Sequence, residues 1–210
     1  MQYELNKIYN EDCYKAIKNI PDKSIDLIVT DPPYEIVAGG GGGAFGVENR
    51  DYHNAVSKKL NYGIDNSILD ECVRVLKKIN IYLWCNKTQL RQYLDYFDNL
   101  DCNIDLLVWC KANPIPTCNN KYLSDIEYCV YAAEKGLGLG GNYSTKHKYY
   151  VSNLNRKDKD LYEHPTIKPL KLIKNFIINS SKEGEVILDP FMGSGTTAVA
   201  TLEVGGGENI

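Results

Sequence analysis

The sequence has no long hydrophobic run and no N-terminal apolar segment of the kind that directs secretion. A membrane-spanning helix needs about 20 mostly apolar residues, and a signal peptide needs an apolar core of about 7–15, so neither is predicted. The seven cysteines are scattered, odd in number and contain no CxxC pair. We therefore predict no disulfide framework, no metal site, no membrane partner and a reducing, cytoplasmic location.

The chain also lacks a marked excess of one charge. Lys and Arg number 24 against 27 Asp and Glu, a formal net charge of −3, which gives no overall sign of a phosphate-rich partner. The charge is uneven, however, because residues 142–182 contain nine Lys or Arg and three Asp or Glu, a local excess of +6. This asymmetry fits a phosphate-facing side, although a solvated basic surface is the commoner explanation.

Length and composition indicate one α/β domain. The chain has 210 residues, of which 43% are hydrophobic and 24% charged, as is ordinary for a globular protein with a sizeable core. Apolar periodicity predicts helices at 66–78 and 89–100 and strands at 79–84, 104–109 and 126–132. Strands that alternate with helices form βαβ units, so we predict a sandwich around a mainly parallel, twisted sheet.

One stretch organises the rest of the chain: residues 25–34 read IDLIVTDPPY. The apolar run has the length and β-branched content of a buried parallel strand. Its carboxyl end, where open α/β sheets place ligands, is followed by Asp31, Pro32, Pro33 and Tyr34. Each proline fixes its own φ and keeps the preceding residue extended, so Asp31 is held on a stiff corner beside an aromatic ring.

Such a corner suits chemistry on the exocyclic amine of a nucleobase. The lone pair of that amine is conjugated into the ring, and a carboxylate and a carbonyl that accept its two hydrogens would free it. The carboxylate would also stabilise the positive charge that develops on the nitrogen. A neighbouring aromatic face would stack on the base, which must first leave the helix. The alternative interpretation is a Pro-Pro turn with a capping aspartate and a surface tyrosine.

A second strand-and-turn stretch lies far downstream. Residues 186–197 read VILDPFMGSGTT, a short apolar strand followed by a glycine-rich turn and a helix. Gly193 and Gly195 allow the backbone to approach a ligand closely, and the helix start offers free N–H groups. The strand–turn–helix context favours a ligand-binding turn over a chance GxG.

The two motifs together resemble those of the amino-methyltransferases that modify DNA bases with S-adenosylmethionine. The order, catalytic motif first and cofactor motif last, is similar to the permuted β class of that family. Residues 164–169, HPTIKP, resemble its HPTxKP element, and residues 8–13, IYNEDC, resemble its IYNGDC start with Glu11 where glycine is usual. The resemblance runs from about residue 8 to residue 202.

The resemblance implies a Rossmann-like class I methyltransferase sandwich with circularly permuted motif order, and S-adenosylmethionine as cofactor. It gives the catalytic role to Asp31, Pro32, Pro33 and Tyr34. The residues expected to hold the cofactor are Asp12, His164, Pro165, Thr166, Lys168, Asp189, Phe191, Gly193, Gly195, Thr196 and Thr197. Lys168 is the candidate for the cofactor carboxylate, and Asp12 is equally interpreted as a helix cap from the sequence itself.

The family usually inserts its target-recognition segment after the catalytic half. Residues 136–163 occupy that place and carry basic residues interleaved with tyrosines, which suits phosphate contact with stacking. The expected DNA-binding residues are Lys146, Lys148, Tyr149, Arg156 and Lys157. The alternative is a solvated loop.

We therefore predict a single domain over residues 1–210. It has a catalytic half at about 1–135, a small insert at about 136–163 and a cofactor half at about 164–210. The family has a further strand after the glycine-turn helix, ending in an acidic residue that holds ribose hydroxyls. Here Glu208 comes too early for that residue, so the cofactor half is expected to be truncated.

The predicted activity is site-specific methylation of the adenine N6 amine in double-stranded DNA. Asp rather than Ser at position 31 resembles the adenine enzymes more than the N4-cytosine enzymes, which remain the nearest alternative. A catalytically idle, methyltransferase-like DNA-binding subunit and methylation of RNA or protein amines are the others. A cognate restriction endonuclease is a possible partner, and the chain is expected to be a monomer or homodimer.

Overall fold

The computed structural model describes residues 3–34, 63–114, 116, 122–154 and 167–205, and the backbone alone at 208–209. Five α-helices and seven strands are described there, besides a 3₁₀ turn at Ile17–Asn19. The helices are α1 (Cys13–Ala16), α2 (Asn66–Val75), α3 (Lys87–Asn99), α4 (Leu170–Ser180) and α5 (Thr196–Val204). The strands are β1 (Leu27–Thr30), β2 (Asn80–Cys85), β3 (Asn103–Lys111), β4 (Ile126–Ala133), β5 (Tyr149–Ser152), β6 (Val186–Leu188) and β7 (Glu208–Asn209).

The described strands form one sheet in the order β5-β3-β4-β2-β1-β6-β7. Strand β1, in the interior of the sheet, pairs in parallel with β2 on one side and β6 on the other. Strand β4 is reversed, because both of its pairings, with β2 and with β3, are antiparallel. The predicted α/β sandwich with a mainly parallel sheet is confirmed, with β4 as its one reversed strand among those described.

The sheet separates two apolar layers. Along β2, Ile81, Leu83 and Cys85 face one layer, whereas Tyr82 and Trp84 face the other. This alternation is that of a central strand, whose successive side chains point to opposite faces. The first layer holds the apolar residues of α2 and α3, and the second holds those of α4 with Ala200 of α5. Helices therefore cover both faces and leave the ends of the strands open for a site.

Two predicted helices are shorter in the structure. The helix predicted to extend to residue 78 ends at Val75, because Leu76 turns into extended backbone and forms a parallel bridge with Ile25. The helix that Asp12 is predicted to cap consists of only one turn of α1 followed by the 3₁₀ turn. At the other end of the chain the backbone of Glu208–Asn209 pairs in parallel with β6, so strand pairing continues beyond α5 in the region predicted to be truncated.

The first part of the predicted insert is anchored to the sheet sandwich. The buried side chain of Asn179 in α4 accepts a hydrogen bond from Thr145 Oγ1 at 2.6 Å and donates to the Thr145 carbonyl at 2.9 Å. A Cβ at Gly141, which has φ +64°, would come within 2.1 Å of Asn179 Oδ1. The absence of a side chain at Gly141 therefore leaves the space that the Asn179 amide occupies. Residues 140–145 are held against α4 before the chain enters β5.

Candidate active site at the carboxyl edge of the sheet

The two predicted motifs meet at one edge of the sheet. Strands β1 and β6 are parallel neighbours, and each is followed directly by an Asp-Pro pair, Asp31-Pro32 and Asp189-Pro190. Between them lies an open cleft. Its lining residues are Val29, Thr30, Asp31, Trp84, Lys168, Ile173, Asp189, Phe191, Met192, Gly193, Ser194, Thr196 and Thr197.

Helix α3 supports the corner after β1 through a side-chain hydrogen bond. The Gln89 side-chain amide donates hydrogen bonds at 3.0 Å to the Pro33 carbonyl and to the Tyr93 hydroxyl. Gln89 and Tyr93 are buried, as is Pro32. The stiffness that the two prolines predict is therefore reinforced by a buried contact that the sequence pattern did not suggest.

The two oxygens of Asp31 are in different situations. Asp31 Oδ2 accepts a hydrogen bond from Lys168 Nζ at 2.5 Å, and the two groups form an ion pair. Asp31 Oδ1 is buried and has no hydrogen-bond partner among the described residues. One oxygen thus anchors the carboxylate, and the other is an unused acceptor in a residue that lines the cleft.

Lys168 is the centre of a buried ionic cluster. Its ammonium lies 2.5 Å from Asp31 Oδ2 and 3.0 Å from Glu127 Oε2, and its side chain is only 5% exposed. It also lies 5.4 Å from the centre of the Tyr34 ring and 5.0 Å from that of Trp84, within the range of cation–π attraction. Burial acts to lower the pKa of Lys168, but the Asp31 and Glu127 carboxylates outweigh it and leave the pKa raised.

Glu127 extends the cluster to a second cation. Its Oε1 lies 2.7 Å from Lys111 Nζ at the end of β3, so charges alternate along Lys111, Glu127, Lys168 and Asp31. Burial acts to raise the pKa of Glu127, but the two lysines outweigh it and the pKa is lowered. Glu127 lies near the start of β4, and since β4 is reversed, this end of it lies at the carboxyl edge of the parallel strands.

Asp189, at the corner after β6, has no cation among its described contacts. Its Oδ1 accepts hydrogen bonds from Thr30 Oγ1 at 2.6 Å and from the Phe191 N–H at 3.1 Å. Burial raises the pKa of Asp189 from 3.8 to about 6, although these hydrogen bonds act to lower it. This carboxyl group therefore titrates close to neutral pH.

The turn between Asp189 and α5 requires its glycines. Gly193 and Gly195 have φ values of +51° and +76°, the left-handed region that other residues enter only with strain. Gly195 is the residue before the first turn of α5, whose start leaves backbone N–H groups for a polar or anionic ligand. The predicted ligand-binding turn is thus formed with the expected backbone geometry.

Unpartnered polar atoms are concentrated at this edge. In the part of the chain that the structure describes, three buried side-chain atoms have no hydrogen-bond partner: Asp31 Oδ1, Trp84 Nε1 and Gln89 Oε1. Asp31 and Trp84 line the cleft, and Gln89 supports the corner after β1. Buried polar groups are nearly always paired in native proteins, so this concentration indicates a site completed by a polar ligand.

The structure brings together most of the predicted cofactor residues that it describes. Lys168, Asp189, Phe191, Gly193, Thr196 and Thr197 line the cleft, and Gly195 belongs to the same turn. Asp12 instead caps α1, accepting a hydrogen bond from the Lys15 N–H at 3.3 Å, and is not among the lining residues. His164, Pro165 and Thr166 lie outside the described residues.

The predicted DNA-binding residues that the structure describes, Lys146, Lys148 and Tyr149, lie at the far edge of the sheet. Tyr149 begins β5 and is 59% exposed; its ring belongs to an aromatic cluster with His147 and Tyr143. Lys148 forms an ion pair with Asp105, and Lys146 donates to the Leu139 carbonyl at 3.2 Å. Arg156 and Lys157 lie outside the described residues.

Thr30, Trp84, Lys111 and Glu127 belong to the site but were not predicted as catalytic or cofactor-binding residues. Thr30 and Trp84 lie in short apolar strands and look like core residues from the sequence. Lys111 and Glu127 fall in residues 107–131, a segment that also resembles the methyltransferase family and whose sequence is interpreted as scaffold and as one wall of the base pocket. The direction of β4 would have indicated the role of Lys111 and Glu127, because a reversed strand places Glu127, near its start, at this edge of the sheet.

Neither a membrane segment nor a metal cluster is found in the described ranges. No helix there is long and apolar enough to cross a membrane. No group of three or more His, Cys, Asp or Glu there has the geometry to hold a metal ion.

Comparison with known proteins identifies the family. Residues 25–206 match the family model described as DNA methylase, which covers the enzymes of the N6/N4 type. Because the match spans most of the chain, the protein belongs to this DNA methylase family and is a methyltransferase. It is 27% identical over 226 residues to the type II methyltransferase M2.DpnII of Streptococcus pneumoniae, covering 97% of this chain and 84% of that protein.

Solved structures show the same fold. The M1.HpyAVI–SAM complex aligns over 96% of this chain and 90% of its own, with a TM-score of 0.67 and 21% identity. The PvuII DNA methyltransferase, which is cytosine-N4-specific, aligns over 95% and 78%, with a TM-score of 0.68 and 16% identity. At these identities the likeness supports the fold alone.

Proposed function

We propose that this protein transfers a methyl group from S-adenosylmethionine to the N6 amine of an adenine that has been turned out of double-stranded DNA. The family establishes a DNA methyltransferase of the N6/N4 type. The choice of adenine, the residue roles and the cofactor contacts are our proposal.

One observation carries it: the buried, unpartnered Oδ1 of Asp31. A buried carboxylate oxygen without a donor is costly, and an amine N–H is a donor that would satisfy it. The other oxygen is held by Lys168 at 2.5 Å, so the free one has a fixed direction. The proline corner and Gln89 hold the backbone beneath it.

The cleft residues suit a cofactor with an amino-acid end and a sulfonium. The carboxyl group of Asp189 and the start of α5 offer an acidic group and N–H donors for the two ends of an amino acid. Phe191, Gly193, Thr196 and Thr197 would complete the contacts. S-adenosylmethionine supplies, when bound, a methyl group on a positively charged sulfur that a nucleophilic nitrogen can accept.

The residues of this chain would act by binding and orientation. Asp31 Oδ1 would accept one amine hydrogen and the Pro32 carbonyl the other, which frees the nitrogen lone pair. The Asp31 carboxylate would stabilise the positive charge that develops on the nitrogen. Tyr34 would stack on the extruded base. Fixing the amine in this geometry supplies much of the rate enhancement.

DNA would approach along the side that carries the far edge of the sheet. The exposed rings of Tyr143, His147 and Tyr149 offer stacking surface, and Lys146 and Lys148 offer positive charge. The Lys148–Asp105 pair is solvent-exposed, so exchanging it for a phosphate contact costs little. Arg156 and Lys157 are proposed to extend this surface.

The choice of adenine rests on Asp31, since an aspartate at this position resembles the adenine enzymes. Cytosine carries a similar exocyclic amine at N4, and the same corner would serve it. The test is nucleoside mass spectrometry of unmethylated double-stranded DNA incubated with the protein and S-adenosylmethionine, beside Asp31→Ala. N6-methyladenine that disappears in the variant is expected. Detection of N4-methylcytosine would overturn adenine as the substrate. The absence of any methylated base would overturn the proposed methyltransferase activity.

A further inference from the structure

We propose that Glu127 and Lys168 act in series as positioning residues for Asp31, with Lys168 holding the carboxylate rather than binding the cofactor carboxylate. The inference rests on the proposed function, since it assigns how the amine-accepting group is oriented. It goes beyond the resemblance, which implies a cofactor contact for Lys168 and places Glu127 only in a segment interpreted as scaffold and one wall of the base pocket.

The contacts of Lys168 support this role. An ammonium has three hydrogens, and here it meets two carboxylate oxygens, at 2.5 and 3.0 Å, and lies near two aromatic rings. The side chain is 5% exposed, so little of it is open to a further anion. A cofactor carboxylate at Lys168 would have to replace Asp31 or Glu127, leaving a buried carboxylate without its cation.

The position of Glu127 explains why two residues are needed. A lysine has a long, flexible stem, so one ion pair alone would leave its ammonium free to rotate around Asp31. Glu127 holds the ammonium from the other side, and Lys111 holds Glu127 in turn at 2.7 Å. In this ionic row of Lys111, Glu127, Lys168 and Asp31, Lys111 lies on β3 and Glu127 on β4. Because two of its members lie on strands of the sheet, the ionic row restrains the position of Asp31 Oδ2.

Charge balance gives the row a second effect. Lys111, Glu127, Lys168 and Asp31 carry two positive and two negative charges, so the cluster is neutral with every member paired. Without Glu127, Lys168 would be shared with no other carboxylate and would be drawn wholly to Asp31. Asp31 would then be a weaker and differently oriented acceptor for the amine.

The kinetic test compares Glu127→Gln and Lys168→Met with the wild type, and uses Glu134→Gln as matched control. Glu134 is an exposed carboxylate that follows the other end of β4. We expect kcat to fall about tenfold to a hundredfold in Glu127→Gln, as for a small misplacement of a reacting group. The dissociation constant for S-adenosylmethionine should stay within about threefold in both site variants. A rise of more than tenfold in Lys168→Met would overturn the proposal in favour of the cofactor contact.

The double variant tests whether the two residues act in series. If Glu127 acts through Lys168, adding Glu127→Gln to Lys168→Met should change kcat by no more than about threefold. If the fold-losses in kcat of the two single variants multiply in the double variant, Glu127 and Lys168 act independently and the proposal is contradicted. Circular dichroism and thermal unfolding of each variant separate misfolding from a local effect.

A second readout does not depend on activity. Aspartate carboxyl carbons labelled with ¹³C can be followed by NMR, with the Asp31 resonance assigned by its loss in Asp31→Asn. The Asp31 resonance should move in Glu127→Gln, stay in place in Glu134→Gln, and not move further when Glu127→Gln is added to Lys168→Met. An unmoved resonance in Glu127→Gln would overturn the relay. Absence of methylation by the wild type would instead overturn the proposed function and leave this measurement decisive for the relay.

Discussion

Two Asp-Pro corners lie side by side in this molecule and hold their carboxyl groups in opposite ways. Asp31 follows β1 and is anchored by the buried ammonium of Lys168. Asp189 follows β6 and is held by the Thr30 hydroxyl and the Phe191 N–H, with no cation among its described contacts. The same dipeptide at neighbouring strand ends thus gives one carboxylate in an ion pair and one whose pKa is raised to about 6 by burial.

The difference matters for what each corner can bind. An anchored carboxylate with a free second oxygen is suited to accept a hydrogen bond and to stabilise positive charge as it develops. A carboxyl group held by neutral donors in a buried position changes its charge near neutral pH. We therefore assign the chemistry to the β1 corner and binding to the β6 corner.

The largest expected effect is on activity when each aspartate is made neutral. Asp31→Asn should lower kcat about 10²–10³-fold, because the charge that stabilises the attacking nitrogen is lost. Asp189→Asn keeps an acceptor for Thr30 and the Phe191 N–H, and should weaken cofactor binding less than about tenfold. Steady-state kinetics with purified variants check both. Equal losses of kcat would contradict the division of roles.

Two buried carboxyl groups of the site, Asp189 and Glu127, should respond to pH with opposite sign. The folded-state pKa of Asp189 is raised from 3.8 to about 6. The folded state therefore keeps a proton that the unfolded state releases in this range. The contribution of this group to stability is fully present below about 3.8 and is lost as pH rises through about 6, by about 3 kcal/mol at most. Glu127, whose folded pKa is lowered, contributes stability above its unfolded value of 4.5, and that contribution is lost as pH falls.

Urea unfolding of the wild type and Asp189→Asn between about pH 4.5 and 7 checks the first half of this expectation. Asparagine does not titrate, so the stability of the variant relative to the wild type should rise across that range. A difference that is independent of pH would show that Asp189 does not titrate there.

A smaller effect is expected from the hydroxyl that links the two strands. Thr30 is 2% exposed and donates across from β1 to Asp189 at 2.6 Å. Thr30→Val keeps the shape but removes the donor, and should cost about 1–3 kcal/mol of unfolding free energy because a buried acceptor loses a partner. It should also raise the pKa of Asp189 further. Thr30→Ser, which keeps a hydroxyl, is the control, and equal destabilisation in both variants would contradict the role of the hydrogen bond.

Both corners could be predicted from the sequence because their signals are local. Each corner has a short apolar run followed by Asp-Pro. A second proline follows at one corner and a pair of glycines at the other, and these residues specify the backbone geometry locally. The helices were predicted for the same reason, although the end of α2 was not, because Leu76 pairs with the distant Ile25 instead of continuing the helix.

The ionic row could not be predicted because it depends on strand direction. Lys111 and Glu127 are 16 residues apart, and Lys168 follows 41 residues later. Alternating elements suggest parallel strands, which would carry the start of β4 to the opposite edge of the sheet from Asp31. Only the reversal of β4 brings Glu127 to Lys168, and no local pattern in residues 126–133 encodes that reversal.

The smallest expected effect separates backbone strain from ligand contact at the β6 corner. Gly195 has φ +76°, and Gly184, in the turn between α4 and β6, has φ +80°; a Cβ at either position meets no atom within 4 Å. Gly195→Ala and Gly184→Ala should therefore each cost about 1–2 kcal/mol of unfolding free energy, from the left-handed conformation alone. Only Gly195 belongs to the turn that opens on the cleft, so only Gly195→Ala should also raise the dissociation constant for S-adenosylmethionine. Urea unfolding and equilibrium binding of the two variants measure these effects together. If both variants bind the cofactor as the wild type does, the glycine is required by the turn and not by the ligand.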